Sequence, residues 1–175
     1  LRRIQEERLV EYIPHYGVVV KRITLADAEE ILKIRKALDV LAALNAMELM
    51  TEKDFDDLES LLKKTDKANN LDNASEVIKL SSDFNDFIYD ASKMPRLEMI
   101  VRRLREYLIR FRDISLTGKE RRDQALKEHW MIYNNMRNKN NEQVKIIIEE
   151  HLVYSEKFII NEMINEEKHE KEIKS

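Results

Sequence analysis

Residues that interrupt helices are almost absent from this chain. Its 175 residues include only two glycines, Gly17 and Gly118, and two prolines, Pro14 and Pro95, whereas 37% of the residues are charged. Because glycine and proline mark most turns, a chain with so few of them is expected to form long helices joined by few turns. The length suits one domain with a single core and a fragment of another domain. We therefore predict an all-α fold, an antiparallel bundle of six or seven helices.

Capping signals show where these helices begin. Thr24 and Thr51 each stand three residues before an aspartate, as in a capping box, and Asn73 stands three residues before Glu76. Pro95 suits the first turn of a helix. The connections between the signals are short, so neighbouring helices should be antiparallel. These signals predict helices at about residues 25–50, 52–68, 74–92, 95–115, 119–137 and 142–165.

The first 22 residues follow a different pattern. Residues 1–10 have the apolar spacing expected at the end of an amphipathic helix. Residues 11–13 and 18–20 are rich in β-formers and flank a segment with proline and glycine, which predicts a β-hairpin. A helix end and a hairpin bury too little surface to form a domain. We expect residues 1–22 to be the end of a domain whose front is missing, and the charged residues 166–175 to form a tail that does not pack.

This order of elements resembles a known regulatory family. The motifs Leu-Arg-Arg-Ile at residues 1–4, Leu-Val-Glu at residues 9–11, Ile-Pro at residues 13–14 and Gly-Val-Val-Val at residues 17–20 carry the first part of the resemblance. Together they resemble the end of the winged helix-turn-helix domain of GntR-superfamily transcription regulators, in which a two-stranded wing follows the recognition helix. The segment Glu-Ile-Leu-Lys-Ile-Arg-Lys-Ala-Leu-Asp at residues 30–39 resembles the first helix of the FCD effector domain in the FadR branch.

The resemblance implies a DNA-binding transcription regulator that acts in the cytoplasm, senses a small carboxylate-type metabolite and is not an enzyme. Residues 1–22 would be the C-terminal part of the DNA-binding domain, with Arg3, His15 and Gly17 as candidate DNA contacts. Residues 24–165 would form the helical effector-binding and dimerisation domain. The resemblance also implies a homodimer. Spare apolar residues on helices one and four support it weakly: Leu41, Leu44, Met47 and Ile109.

Composition excludes several classes of site. The chain has no cysteine, which rules out disulfides, thiolate metal sites and a cysteine nucleophile and agrees with a reducing cytoplasm. It has no signal peptide and no long apolar run, so neither export nor a membrane partner is expected. The net charge of -3 neither supports nor excludes DNA binding, because the basic residues that contact DNA would lie in the missing front part.

Two histidines fall within the apolar stripes of the last two predicted helices. His129 and His151 are equally far in sequence from Asn140, which lies in the turn between these helices. In an antiparallel helix pair, residues equally far from the turn lie at the same height. We therefore predict that the two imidazoles face each other across the bundle interior. The alternative is that each is a hydrogen-bonded core residue without a ligand.

Other polar residues also fall on inward faces. Arg35 lies among the apolar residues of the first helix, and Ser81 and Asn85 flank the stripe of the third. Burial of a guanidinium is costly without a partner, so we predict a polar cavity that holds an anionic ligand. Arg35 could instead pair with a nearby carboxylate, Asp39 or Glu48. The predicted effector-binding residues are Arg35, Ser81, Asn85, Arg103, Tyr107, His129 and His151.

The resemblance also raises the question of a metal. Many FCD domains bind a metal through Asp-x-x-x-His on one helix and one histidine on each of two later helices. His129 and His151 match the later two, but Ser81 and Asn85 stand where the aspartate and the first histidine would be. Two imidazoles alone are a poor zinc site. We predict no tightly bound cofactor, and at most a weak Zn²⁺, Ni²⁺ or Mn²⁺ held by His129 and His151.

Two other functional classes remain open at this stage. One is a structural helical dimerisation or interaction module without a ligand, which no ligand would stabilise against unfolding. The other is a metal-dependent helical-bundle enzyme. Di-iron bundles need paired Glu-x-x-His motifs, and this chain has one, at residues 166–169 in the charged tail. The enzyme is therefore the least favoured of the three.

Overall fold

The computed structural model describes residues 10–13, 17–20 and 23–174. Residues 23–174 form an antiparallel helical bundle, and the all-α prediction is confirmed. The last helix continues to Lys174, well past the predicted end near Asn165. There Arg110 Nη1 lies 2.7 Å from Glu166 Oε1, which ties the charged segment to the bundle. The helices are α1 (Leu25–Leu49), α2 (Glu52–Asn70), α3 (Ala74–Ala91), α4 (Pro95–Ser115), α5 (Lys119–Arg137) and α6 (Asn141–Lys174).

A two-stranded antiparallel hairpin precedes the bundle. Strands β1 (Val10–Ile13) and β2 (Gly17–Val20) pair with Val10 opposite Val20 and Ile13 opposite Gly17. The hairpin lies where the β-branched runs predict it, but its assignment as the wing of a DNA-binding domain stays a prediction. Arg3 and His15 lie outside the described residues, and Gly17 begins β2.

The predicted caps start the helices. Thr24 Oγ1 accepts a hydrogen bond from the Asp27 amide at 3.1 Å, and the Asp27 carboxylate accepts one from the Thr24 amide at 2.9 Å. Thr51 makes the same reciprocal pair with Asp54. Such a box satisfies two of the amides that a helix start leaves without a partner. It explains why α1 and α2 begin within one residue of their predicted starts.

Three helices end in the same way without glycine. Asp72, Lys93 and Lys139 each lie two residues past a helix end and have φ of 54°. This left-handed conformation is the usual C-terminal cap of a helix, where glycine is most common. Lysine and aspartate tolerate it at some cost in backbone strain. The bundle therefore makes tight turns although the chain contains almost no glycine.

Helix α1 lies at the centre of the bundle. It packs against α3, α4, α5 and α6, while α2 packs against α3 and α5 on the far side. Met47 is completely buried in the main core, so its predicted place on a dimer surface is wrong. Leu44 is partly buried against the same core, whereas Leu41 and Ile109 are exposed. None of the helices in residues 23–174 is long and apolar enough to cross a membrane.

One buried arginine, Arg122, connects two chain segments at one end of the bundle. Arg122 is 2% exposed, and its Nε donates to Asn69 Oδ1 at 3.3 Å. Its Nη1 donates to the carbonyl oxygens of Leu116 and Thr117, and its Nη2 to the Asp72 carboxylate. The guanidinium thus joins the turn between α4 and α5 to the end of α2, and each of its nitrogens has a partner. This is a structural arginine.

Candidate functional site: an arginine-lined cleft beside a histidine pair

The two predicted histidines meet inside the bundle. His129 on α5 is 2% exposed, and His151 on α6 is partly buried beside it. Their ring centroids are 5.1 Å apart, with the planes tilted by 51°. Their equal distance from the α5–α6 turn therefore predicted their juxtaposition correctly.

His129 is held as a neutral imidazole. Its ring stacks on Phe84 of α3, with centroids 4.3 Å apart and planes 14° from parallel. Burial, together with the proximity of His151 and Arg121, lowers the pKa of His129 well below its usual value. Its Nδ1 is buried without a hydrogen-bond partner. A buried polar atom without a partner is unusual and marks a place where a ligand or a water would be bound.

His151 is oriented by a carboxylate that the sequence analysis missed. Glu128 Oε2 lies 2.6 Å from His151 Nδ1, and Gln124 Nε2 donates to Glu128 Oε1 at 2.8 Å. Burial raises the pKa of the Glu128 carboxyl, but these hydrogen bonds and the nearby Arg121 outweigh burial and hold it below the usual value. Glu128 is therefore ionised at neutral pH and accepts the Nδ1 proton, which leaves Nε2 of His151 for a ligand. The sequence offered one signal for Glu128, namely that it directly precedes the predicted site residue His129.

A second residue missed from the sequence is Arg121. It is 4% exposed, and its Nη2 donates to Ser155 Oγ at 2.6 Å. Its guanidinium carbon lies 5.4 Å from the ring centroids of Tyr154 and Phe158. Its Nη1 is 3.8 Å from Glu128, too far for a hydrogen bond, and both Nε and Nη1 are buried without a partner. Burial lowers the pKa of Arg121. Helical spacing gave no signal for Arg121, because by phase the neighbouring Arg122 lies closer to the His129 face of α5.

A cleft opens beside the histidine pair. Its empty space is about 440 Å³, part of it open to solvent. Three arginines line it, Arg35 from α1 and Arg105 and Arg112 from α4, and no aspartate or glutamate does. Burial lowers the pKa of Arg112; Asp113 opposes this effect, and Arg105 and Arg35 add to it. The other lining residues are Asn85, Leu108, Ile109, His151, Leu152, Ser155 and Ile159.

Each of these arginines has one carboxylate partner. Arg35 Nη2 donates to Asp39 Oδ2 at 2.7 Å. Of the two carboxylates with which Arg35 could pair, Asp39 and Glu48, the structure shows the pair with Asp39. Arg105 pairs with Asp86, and Arg112 Nε donates to Asp113 at 2.9 Å. A guanidinium has five N–H donors, more than one carboxylate can accept. Arg35 Nε is buried without a partner.

The structure brings together some of the predicted site residues and not others. Arg35, Asn85 and His151 line the cleft, and His129 lies beside His151. Ser81 is buried, and its carbonyl accepts from Asn85 Nδ2 at 2.9 Å.

Two predicted residues of α4 do not reach the cleft. Arg103 is exposed, and Tyr107 packs against an apolar cluster that includes Leu108 and Phe111 without itself lining the cleft. The cleft-facing positions of α4 are residues 105, 108, 109 and 112, which follow the i, i+3, i+4, i+7 spacing of one helix face. Residues 103 and 107 belong to neighbouring faces, so these two predictions missed the rotation of α4 about its axis.

The residues present do not fit a tightly bound metal. Within the described residues, no group of three or more histidines and carboxylates is placed to hold an ion. Zinc is bound by cysteine, histidine and carboxylate side chains, so the Asn85 amide does not replace the missing histidine, and the Glu128 carboxylate is committed to His151. Two imidazoles then remain, fewer than the three or four good ligands that zinc requires.

Comparison with known proteins identifies the domain family of the chain. Residues 30–154 match the FCD domain family. An uncharacterised helix-turn-helix-type transcriptional regulator of Bacillus subtilis, YdhC, is 27% identical over 146 residues, which are 83% of this chain and 65% of that protein. The chain thus spans less than two thirds of the length of this relative.

Solved structures share the fold. The Escherichia coli protein McbR/YncC superposes with a TM-score of 0.76 at 19% identity, covering 91% of this chain and 81% of the other. The regulator Lar, which controls expression of the agr system in Listeria monocytogenes, has a TM-score of 0.70 at 13% identity, covering 91% and 76%. A GntR-family regulator from Pseudomonas syringae has a TM-score of 0.66 at 17% identity, covering 97% and 70%.

Proposed function

This chain belongs to the FCD domain family, and from that premise we propose that it is the effector-binding part of a DNA-binding transcription regulator. Its effector is a small carboxylate-type metabolite that binds in the arginine-lined cleft. The single observation that carries this proposal is a cleft with three guanidinium groups and no carboxylate among its lining residues. Charge-assisted hydrogen bonds from arginine are the strongest that proteins offer to a carboxylate.

The buried nitrogens without partners support the same location. In the part of the chain that the structure describes, the buried side-chain nitrogen and oxygen atoms without a hydrogen bond belong to Arg35, Arg121 and His129. Arg35 itself lines the cleft. The other two residues each contact a residue that lines it: His129 lies against His151, and Arg121 donates a hydrogen bond to Ser155. A buried unpaired donor costs about 1–3 kcal/mol. A bound anion, directly or through water, would recover part of that cost.

DNA binding is proposed from the relatives and from the hairpin. The matched B. subtilis protein is a helix-turn-helix-type regulator, and the strands at residues 10–13 and 17–20 precede the bundle, where the resemblance predicts a wing. Two copies in a homodimer, acting in the cytoplasm, would present two such wings to an operator. A ligand changes DNA affinity only if it binds one arrangement of the helices more strongly than the other. Helices α1, α3, α4 and α6 all contribute residues to the cleft, so a bound ligand would act on the packing among these four.

The competing hypothesis is a structural module without a ligand, in which Asp39, Asp86 and Asp113 satisfy the arginines. A thermal-unfolding screen of sodium carboxylates at constant ionic strength separates the two. We expect at least one acid to raise Tm by about 5 °C or more at 100 times its Kd, because binding then stabilises the folded state by about 2.7 kcal/mol.

Two variants on α4 test where that acid binds. Arg112→Gln removes a guanidinium from the cleft and should weaken binding of the acid at least about tenfold. Arg103→Gln is the matched control, since Arg103 is an exposed arginine of the same helix outside the cleft. A screen with no stabilising acid, or equal responses from the two variants, would favour the structural module.

A further inference from the structure

A second cavity adjoins the arginine-lined cleft. Its empty space is about 320 Å³, part of it open to solvent, and it shares Asn85 and His151 with the cleft. It extends inward between α1, α3, α5 and α6. The two spaces therefore form one site with an outer arginine lobe and an inner lobe. The inner lobe is lined mainly by Ala43, Phe84, Ile88, Tyr89, Ile132 and Ile148.

The two lobes differ in chemistry. Asp39 is the only charged side chain that lines the inner lobe. Both of its oxygens are already engaged, Oδ2 by Arg35 at 2.7 Å and Oδ1 by the Tyr89 hydroxyl at 2.8 Å. The Tyr89 hydroxyl donates its only proton in this hydrogen bond. Beyond Asn85 and His151, which it shares with the cleft, the inner lobe therefore offers almost nothing to which a ligand hydroxyl could hydrogen bond, and a hydroxyl buried without a partner is costly.

From this contrast we infer that the ligand is an amphipathic monocarboxylic acid. This inference rests on the proposed function and narrows it. The carboxylate lies in the outer lobe against Arg35, Arg105 and Arg112. An aliphatic chain or a single ring passes Asn85 and His151 and ends among the apolar side chains of the inner lobe. Polyhydroxy acids and tricarboxylates are excluded as high-affinity ligands, because their polar groups would enter the apolar lobe.

Chain length is the direct test. Binding of the sodium salts of acetate, butyrate, hexanoate and octanoate is measured by calorimetry at constant ionic strength, with gluconate and citrate for comparison. Each methylene that enters an apolar pocket should tighten binding about fourfold until the lobe is full. We expect Kd to fall from acetate to hexanoate and then to level off. Gluconate has the same number of carbons as hexanoate and should bind at least thirtyfold more weakly.

A pair of neighbouring alanines on α1 provides matched variants. Ala43 is 1% exposed and lines the inner lobe, whereas Ala42 is completely buried in another cluster and does not. Ala43→Val reduces the lobe and should weaken hexanoate about tenfold while leaving acetate unchanged. Ala42→Val introduces the same methyl groups outside the lobe and should leave the dependence of Kd on chain length as it is in the wild type. The comparison therefore distinguishes a smaller lobe from strain in the helix packing.

The outcomes distinguish this inference from the proposed function. If gluconate or citrate binds more tightly than hexanoate and Arg112→Gln abolishes that binding, the carboxylate site stands and the amphipathic ligand is overturned. A Kd that does not depend on chain length, or equal effects of Ala42→Val and Ala43→Val, also overturns it. If none of these acids binds to the protein, the proposal of a carboxylate effector is wrong, and the inference is wrong with it.

Discussion

Two adjacent arginines on α5 show two different uses of a buried charge. Arg121 and Arg122 are 4% and 2% exposed. Every nitrogen of Arg122 has a partner, among them two carbonyl oxygens and the Asp72 carboxylate. Arg121 has one hydrogen bond, to Ser155, and two nitrogens without any. Since successive residues of a helix point about 100° apart, the two side chains enter different environments.

This difference distinguishes a buried charge with a purely structural role from buried nitrogens that a ligand could engage. The surroundings of Arg122 consume all its hydrogen-bonding capacity, as expected where a charge has a purely structural role. The surroundings of Arg121, His129 and Arg35 leave donors unused beside a cleft. Incomplete pairing of this kind lowers stability, and a ligand can compensate for it.

The largest expected effect is at Arg122. Arg122→Met should lower the free energy of unfolding by about 2–4 kcal/mol, because the buried Asn69 side chain and two carbonyl oxygens lose their donor, whereas the exposed Asp72 carboxylate is solvated by water. Urea unfolding followed by circular dichroism measures this loss. Arg103→Met, at an exposed position, is the control. A loss below about 1 kcal/mol would show that Arg122 is not the structural residue described above.

The next effect is a dependence of stability on pH that arises at the histidine pair. The pKa of His129 is lowered on folding, so below its usual value of 6.5 the unfolded chain takes up a proton that the folded chain refuses. Stability should therefore fall as the pH is lowered from about 6.5, by at most about 1.4 kcal/mol per pH unit from this group. Urea unfolding at pH 7.5, 6.5 and 5.5 measures the slope.

His129→Leu should reduce that slope, and the difference between the variant and the wild type isolates His129. Glu128 acts in a separate and lower window. Its folded-state pKa is below the usual 4.5, so its contribution is present above that pH and is lost on further acidification. Equal slopes for His129→Leu and the wild type between pH 6.5 and 5.5 would contradict a neutral, buried His129.

The smallest effect, and the most direct test of the comparison, is at Arg121. Arg121→Met removes a charge whose burial is only partly compensated, and Glu128 keeps its bonds to His151 and Gln124. The free energy of unfolding should change by less than about 1 kcal/mol or increase, as when buried ion pairs are replaced by apolar residues. Measured beside Arg122→Met under the same conditions, a loss of equal size would remove the distinction between the two arginines.

Much of the fold could be predicted from short-range signals. The capping boxes at Thr24 and Thr51 and the proline at residue 95 predicted the starts of three helices to within a residue. Symmetry about the α5–α6 turn predicted the contact between His129 and His151. The sequence analysis failed where the helix phase mattered: it named Arg103 and did not name Arg105 as a residue of the site, and it placed Met47 on the surface.

The amino-acid sequence by itself determined the six helices of residues 23–174, their order and the meeting of the two histidines, because caps, turns and spacing act within a few residues of the chain. Only the tertiary structure decided which arginines line the cleft, that Glu128 orients His151, and which buried nitrogens lack a partner. These facts depend on the rotation of each helix about its axis and on atoms contributed by helices distant in sequence. No local pattern encodes either of them.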